Sequence, residues 1–336
     1  GVVVAVAIAG LGGVLYSNLK SADRNIANAD EYMLEGEYRK AYKSYGRAVS
    51  KDPTNLAYVK KLQGTFDYMV PITQEEARAF YDSYITTLIH SARYNPFDID
   101  AHLAVANEMY RAARKTGSVN YWKRLRSVAQ AGIEKIAPDN PRRHELLLYL
   151  GLSSLRIEDD SLTETYDAEG HVRFPGEGEL EAVLEADPGN EVAWAGLAHG
   201  RMALYYRLDS EGKTKQAIAN RQLADETMQK ALAVAGDSFD VVSVNFREML
   251  LRRGQLMTRQ QVDADSVTQL QLDVAETAVI DAQNRLIEVF DPAEHNLRTA
   301  EVTGLLLKST EDGPSIAIEL LQKHIDHFPT DFNRVH

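Results

Sequence analysis

Apolar residues return at helical spacing along most of the chain, from about Ala22 onward, the arrangement that lines one face of an α-helix. Polar junctions interrupt the periodic stretches. They are Asp52-Pro53-Thr54-Asn55, Asn95-Pro96-Phe97-Asp98, Ala137-Pro138-Asp139-Asn140, Asp187-Pro188-Gly189-Asn190, Asp291-Pro292-Ala293-Glu294 and Phe328-Pro329-Thr330-Asp331, with Ala235-Gly236-Asp237-Ser238 as a glycine version. Proline fits the first turn of a helix, and Asn, Asp or Thr side chains accept free N–H groups there. Each junction is therefore expected to stop one helix and cap the next. Ala, Leu, Glu, Arg and Gln dominate the long stretches, and β-branched runs are rare after the first twenty residues, so the chain is predicted to be all-α.

The clearest unit lies between about Ala22 and Pro53. Ala29, Tyr32, Gly36, Tyr38, Ala41, Tyr45, Ala48 and Pro53 alternate small, aromatic and breaking residues in one register. Ala29 and Ala48 would let two antiparallel helices approach, Tyr32 and Tyr45 would fill the space between them, and Glu35-Gly36-Glu37 would make the turn. This segment resembles the tetratricopeptide repeat (TPR) family over one complete helix–turn–helix. Trp194, Leu197 and Ala198 match the start of another such unit, and Ala317, Leu321 and Pro329 match the second half of a last one.

The resemblance implies a solenoid of about six or seven helix pairs over 22–336, wound as a right-handed superhelix. Successive junctions are mostly further apart than the roughly 34 residues of the standard repeat, so the second to sixth units are expected to carry longer helices or inserted loops. Armadillo- or HEAT-like helices are the alternative for the middle. Arg156–Gly176 breaks the periodicity and reads as an insertion near 156–176, with a turn or small hairpin from Asp167-Ala-Glu-Gly170 into His171-Val-Arg-Phe174. Asp209-Ser-Glu-Gly212 is a shorter break. Some TPR proteins clamp a peptide's terminal carboxylate with Lys and Asn of a first helix. Here the corresponding places hold Ile26 and Asp30, which argues against that mode.

Residues 1–16 carry no charge, and with Ser17–Leu19 the run approaches the roughly 20 residues of a membrane-spanning helix. We expect a transmembrane signal anchor over 1–19, with a cleaved signal peptide as the competing reading. A single-pass protein with its helical domain outside the cytoplasm follows, although Lys20, Arg24, Arg39, Lys40 and Lys43 speak against that orientation. The chain begins without Met, and Pro329-Thr-Asp opens what reads as another helix just before His336, so the natural protein is expected to extend beyond both ends.

Composition narrows the function. The net charge of −12 excludes a general affinity for nucleic acid, which needs a basic face. There is no cysteine, which excludes a disulfide framework, a thiolate metal site and a cysteine nucleophile. No phosphate loop, dinucleotide fingerprint, GxSxG elbow or HExxH zinc helix occurs. His324 and His327 share a helical face without an evident third ligand, and His144 and His199 read as structural histidines. Glu177, Glu179 and Glu181 suit the positive end of a helix.

We therefore expect no catalysis, cofactor or metal, and a scaffold for other proteins. The first expectation is an accessory or assembly subunit of a bacterial envelope complex, held at the membrane by 1–19. A membrane-anchored chaperone or quality-control adaptor binding clients transiently is the second. The regulatory arm of an enzyme whose catalytic domain lies beyond His336 is the third. Loops on one rim are the expected contact surface, and Tyr42, Tyr58, Tyr166, His171 and Phe174 are the candidate contacts.

Overall fold

The computed structural model describes residues 20–69, 72–157, 165–167, 170–295 and 298–327. Fourteen helices lie among them. The described part of α1 covers residues 20–34. It is followed by α2 (Tyr38–Lys51), α3 (Leu56–Gly64), α4 (Gln74–Tyr94), α5 (Ile99–Thr116), α6 (Val119–Lys135) and α7 (Arg143–Arg156). A ribbon of β1 (Thr165–Tyr166) and β2 (Val172–Arg173) precedes α8 (Glu177–Ala186), α9 (Glu191–Ser210), α10 (Thr214–Ala235), α11 (Phe239–Val262), α12 (Gln269–Val289), α13 (Thr299–Leu306) and α14 (Gly313–His327). In chain order these make seven helical hairpins, and the expected proline and glycine junctions fall between one hairpin and the next.

The turns inside the hairpins are of two kinds. Those after α1, α5 and α9 are short, and each carries a glycine with φ between +63° and +75°: Gly36, Gly117 and Gly212. After α1, Glu37 N–H donates to Tyr32 O at 2.8 Å and Gly36 N–H to Met33 O at 3.2 Å. After α9, Lys213 N–H donates to Leu208 O at 3.0 Å and Gly212 N–H to Asp209 O at 3.1 Å. This paired closure satisfies the last carbonyls of a helix, and its left-handed residue is best supplied by glycine. The remaining hairpins use longer connections, of which 157–176 is the longest.

The two Asp-Pro-x-Asn junctions cap as the sequence suggests, whereas Ser238 at the glycine junction makes no side-chain cap. Asn55 Oδ1 accepts from Ala57 N–H at 3.1 Å while Asn55 Nδ2 donates to Asp52 at 3.4 Å. Asn190 Oδ1 accepts from Ala193 N–H at 3.0 Å while Asn190 Nδ2 donates to Asp187 at 3.1 Å. The same Asp-Pro-x-Asn sequence thus builds the same cap at two distant places. Spacing between junctions is taken up largely by helix length: α9, α10, α11 and α12 run 20, 22, 24 and 21 residues against 14 for α2.

The chain divides into two compact units, Gly1–Met109 with Ser127–Leu146, and Tyr110–Arg126 with Leu147–His336. In the first, Ala29, Ala41, Tyr45 and Leu62 form a buried cluster, with Ile26, Tyr32, Met33, Tyr42 and Val49 packed around it. Ala48 is fully buried, Gly36 is exposed in its turn, and Tyr38 stacks on Tyr68 with ring centres 5.0 Å apart. In the second unit Phe239, Val242, Phe246, Val279, Leu286, Phe290, Val302, Leu306 and Leu320 join α11–α14 in one core. Leu197 and Ala198 are buried in α9, and Trp194 Nε1 donates to Pro188 O at 2.9 Å.

The expectation of a single-pass membrane protein is corrected. No helix among the described residues is long and apolar enough to cross a membrane. The longest helices, α4 and α9–α12, each carry several charged side chains. The segment 1–19, on which the anchor was read, lies outside the described residues, as do Pro329 and the helix expected after it.

Candidate functional site

The expected rim residues divide between the two units: Tyr42 and Tyr58 lie in the first, and Tyr166, His171 and Phe174 in the second. Tyr42 is half-buried, edge-on to Phe66 at 5.3 Å, and borders an open recess of about 560 Å³ in the first unit. Tyr58 donates to Asp23, which pushes its phenol up to about 12, with burial adding to the effect. Asp30 accepts from Tyr45 Oη at 2.5 Å and from Lys61 Nζ at 2.5 Å, so it serves the fold.

The hairpin expected around Asp167–Gly170 does form, with Thr165 opposite Arg173 and Tyr166 opposite Val172. Tyr166 is exposed at its tip, and His171 Nδ1 lies 2.8 Å from Asp167 Oδ2. Phe174 is a correction: it was expected on the rim and is 5% exposed. Its ring fills the space over Gly200, where a Cβ would come within 2.4 Å of Phe174 Cζ. Below it, Glu177 is buried rather than merely placed at a helix start. It accepts from Phe174 N–H at 3.2 Å and from Arg201 Nε at 2.7 Å. Arg201 also reaches Glu181 at 2.7 Å and Thr227 Oγ1 at 2.6 Å, and Arg173 pairs with Glu181. This network fixes the ribbon to α8, α9 and α10.

A different cluster in the second unit brings charge together without balancing it. It is lined by the first helices of five successive hairpins: Arg114 from α5, Arg156 from α7, His199 from α9, Asp240 and Arg247 from α11, and Glu301 from α13, with Arg298 at the start of α13. Tyr110, Trp122 and Leu152 supply apolar walls, and the space left among the side chains is a cavity of about 30 Å³. Gly196 lines it as well and, like the neighbouring alanines, lets α7 and α9 approach closely.

Two of the four guanidiniums pair closely with carboxylates. Arg298 Nη1 lies 2.6 Å from Asp240 Oδ1 and its Nε 2.7 Å from Glu301 Oε2. Arg247 Nη2 lies 2.5 Å from Glu301 Oε1. Arg114 is held less well. Its Nη1 donates to Tyr110 Oη at 3.3 Å, and its Nη2 is buried, 3.7 Å from Asp240 and 4.0 Å from Glu301, without a hydrogen bond. Arg156 pairs with no carboxylate among the described residues. Four arginines against two carboxylates leave a surplus of two positive charges in a chain whose net charge is −12.

The local fields follow from this composition. Desolvation by surrounding protein, then the nearby Arg247 and Arg114, push Arg156 down from its ordinary value, although its side chain keeps an exposed surface. His199 is pushed down to about 3, by burial first and then by Arg156 and Arg247, so its imidazole is neutral at neutral pH. Burial raises Asp240 against the lowering pull of Arg114. Burial also raises Tyr110. The cleft therefore offers fixed positive charge and a neutral imidazole, a combination suited to holding an anionic group.

None of these arginines was singled out by the sequence, and His199 was read as a structural histidine. Each sits alone in its helix, and only stacking of five hairpins brings them together. The His324 and His327 pair gathers no group of three metal-binding side chains among the described residues.

The chain matches no known protein family and no curated protein. Among solved structures it is similar to YrrB, described as a TPR protein with an unusual peptide-binding site, at 15% identity and a TM-score of 0.40, covering 68% of this chain and 94% of that one. It is similar also to PilF of Pseudomonas aeruginosa, at 12% identity and a TM-score of 0.38, covering 85% and 99%. A third likeness is to the Cut9–Hcn1 assembly of the APC/C, at 14% identity and a TM-score of 0.21, covering 92% and 74%.

Proposed function

We propose that this chain is a non-catalytic, TPR-like scaffold whose arginine cleft receives a carboxylate side chain from a segment of a partner protein. The observation that carries the reading is the surplus of positive charge: among the described residues Arg156 pairs with no carboxylate, and Arg114 Nη2 lacks a hydrogen bond, in a cleft walled by Tyr110 and Trp122. Arg114 Nη2 is a buried donor without a partner, which is costly, so an entering carboxylate gains from both Coulomb attraction and a donor already in place. A cavity of about 30 Å³ accommodates one small anionic group beside open, solvent-facing Arg156, rather than a length of backbone. A neutral His199 and engaged guanidiniums are poor general acids and bases at neutral pH, which supports binding over catalysis.

The expected place in an envelope complex rested on the membrane anchor and is not carried forward. The experiment is photocrosslinking. A benzophenone side chain placed at Leu155, which lines the cleft, is offered a biotinylated peptide rich in Asp and Glu, or the same peptide with Asn and Gln. Crosslinking of the acidic peptide alone supports the reading. Equal crosslinking of both, or of neither, rejects it.

A further inference from the structure

The first unit carries a recess of opposite chemistry, independent of the arginine cleft. It opens between the C-terminal halves of α4 and α6, with α5 as its floor. Ile89 and Ala92 of α4, Val105 of α5, and Val128 and Ala131 of α6 line a groove of about 310 Å³. That volume lies in the range of small-ligand and peptide side-chain pockets. Its walls are apolar because the polar group in its floor is already satisfied: His102 is 6% exposed, and its Nε2 lies 3.0 Å from Pro96 O. Small residues at the facing positions, Ala92 and Ala131, leave the space between the two helices unfilled.

The groove is polarised. Arg93 stands in the last turn of α4 and Lys135 ends α6, so both cations sit at the same end, and both line the recess. Neither forms an ion pair with a carboxylate among the described residues, in a protein where many surface arginines do. The apolar surface is open to solvent and continues beyond the groove: lining Ile89 is 44% exposed, and Phe97, next to groove-lining Pro96, is 80% exposed. An exposed apolar patch edged by unpaired like charges marks a contact site, and the edge charge selects the sign of the partner.

We propose that this groove docks a partner segment that places two or three large apolar side chains between α4 and α6, followed by acidic residues against Arg93 and Lys135. A protein segment is favoured over a single alkyl chain because exposed Phe97 adds apolar surface outside the groove and the two cations Arg93 and Lys135 call for more than one acidic group.

The test uses the full chain and two fluorescein-labelled peptides, Gly-Ser-Leu-Phe-Leu-Glu-Glu-Gly and its counterpart with Lys-Lys for Glu-Glu, read by anisotropy. The glutamate peptide should bind about tenfold or more tightly than the lysine peptide. Ala131→Glu, at an exposed position, should abolish binding. The double reversal Arg93→Glu with Lys135→Glu should invert the preference. Arg156→Glu should leave it unchanged, which separates this groove from the cleft. Circular dichroism and melting curves check that each variant folds. The proposal is overturned by equal affinity for the two peptides, by wild-type binding in Ala131→Glu, by binding of neither peptide, or by displacement of the peptide only through dodecanoate occupying the groove in its place.

Discussion

Gly200 in α9 faces Phe174 so closely that a single methyl group there would enter the aromatic ring. Gly200→Ala should destabilise the protein by about 1–3 kcal/mol, the usual cost of over-packing a filled site, measured by urea unfolding. A change within error would show that the ribbon yields instead. The sequence placed Phe174 on the rim because it follows polar Asp167–Gly170. What buries it is a missing side chain 26 positions later, which no local pattern reports. His199 makes a second argument at this scale. Its folded value of about 3 lies below its ordinary 6.5, so between those limits the unfolded chain binds a proton that the native state refuses. The contribution is fully present above about pH 6.5 and is lost as pH falls towards about 3. Asp240, raised by burial, works in the opposite direction. His199→Leu should therefore lose less stability than the parent between about pH 7 and about pH 4.5; equal losses would remove His199 from the account.

At the scale of elements, turn chemistry explains what could be read. Asp52-Pro53-Thr54-Asn55 and Asp187-Pro188-Gly189-Asn190 stop and cap helices through bonds within four residues, so local sequence contains the whole cause. Gly36 lies in the same class, and its unit was legible residue by residue. Gly212→Ala should cost about 1–2 kcal/mol, because the left-handed backbone penalises a Cβ, and nothing else lies near enough to be disturbed. Calorimetry reads it as a lowered melting temperature, with Gly212→Asn expected to lose less. The ion network under β2 was not legible. Glu177, Glu181, Arg201 and Thr227 lie on three helices, and the local reading of the glutamates as helix-start charges missed their partners. Glu177→Ala should leave part-buried Arg201 with two of its three partners, costing about 3–5 kcal/mol. Hydrogen exchange at Val172–Phe174 should accelerate with it; protection unchanged from the parent would mean that the ribbon is held by Phe174 alone.

On the scale of the molecule, helical content and hairpin order were legible because periodicity and junctions repeat along the chain. The candidate site was not. Arg114 and Glu301 approach within 4.0 Å although most of the second unit's sequence separates them, and an arginine in one helix looks like any solvated charge. Uncharged 1–19 pointed the reading towards a membrane, whereas the described helices place their apolar residues inside hairpins. The charge of the cleft, positive within an acidic chain, is the feature on which the functional reading stands. Its most direct test is the affinity of a fluorescein-labelled, glutamate-rich peptide for the full chain and for Arg156→Glu, measured by anisotropy at low and at moderate salt. The account predicts binding that falls with salt and weakens about tenfold or more on charge reversal. The same affinity in both proteins would contradict it.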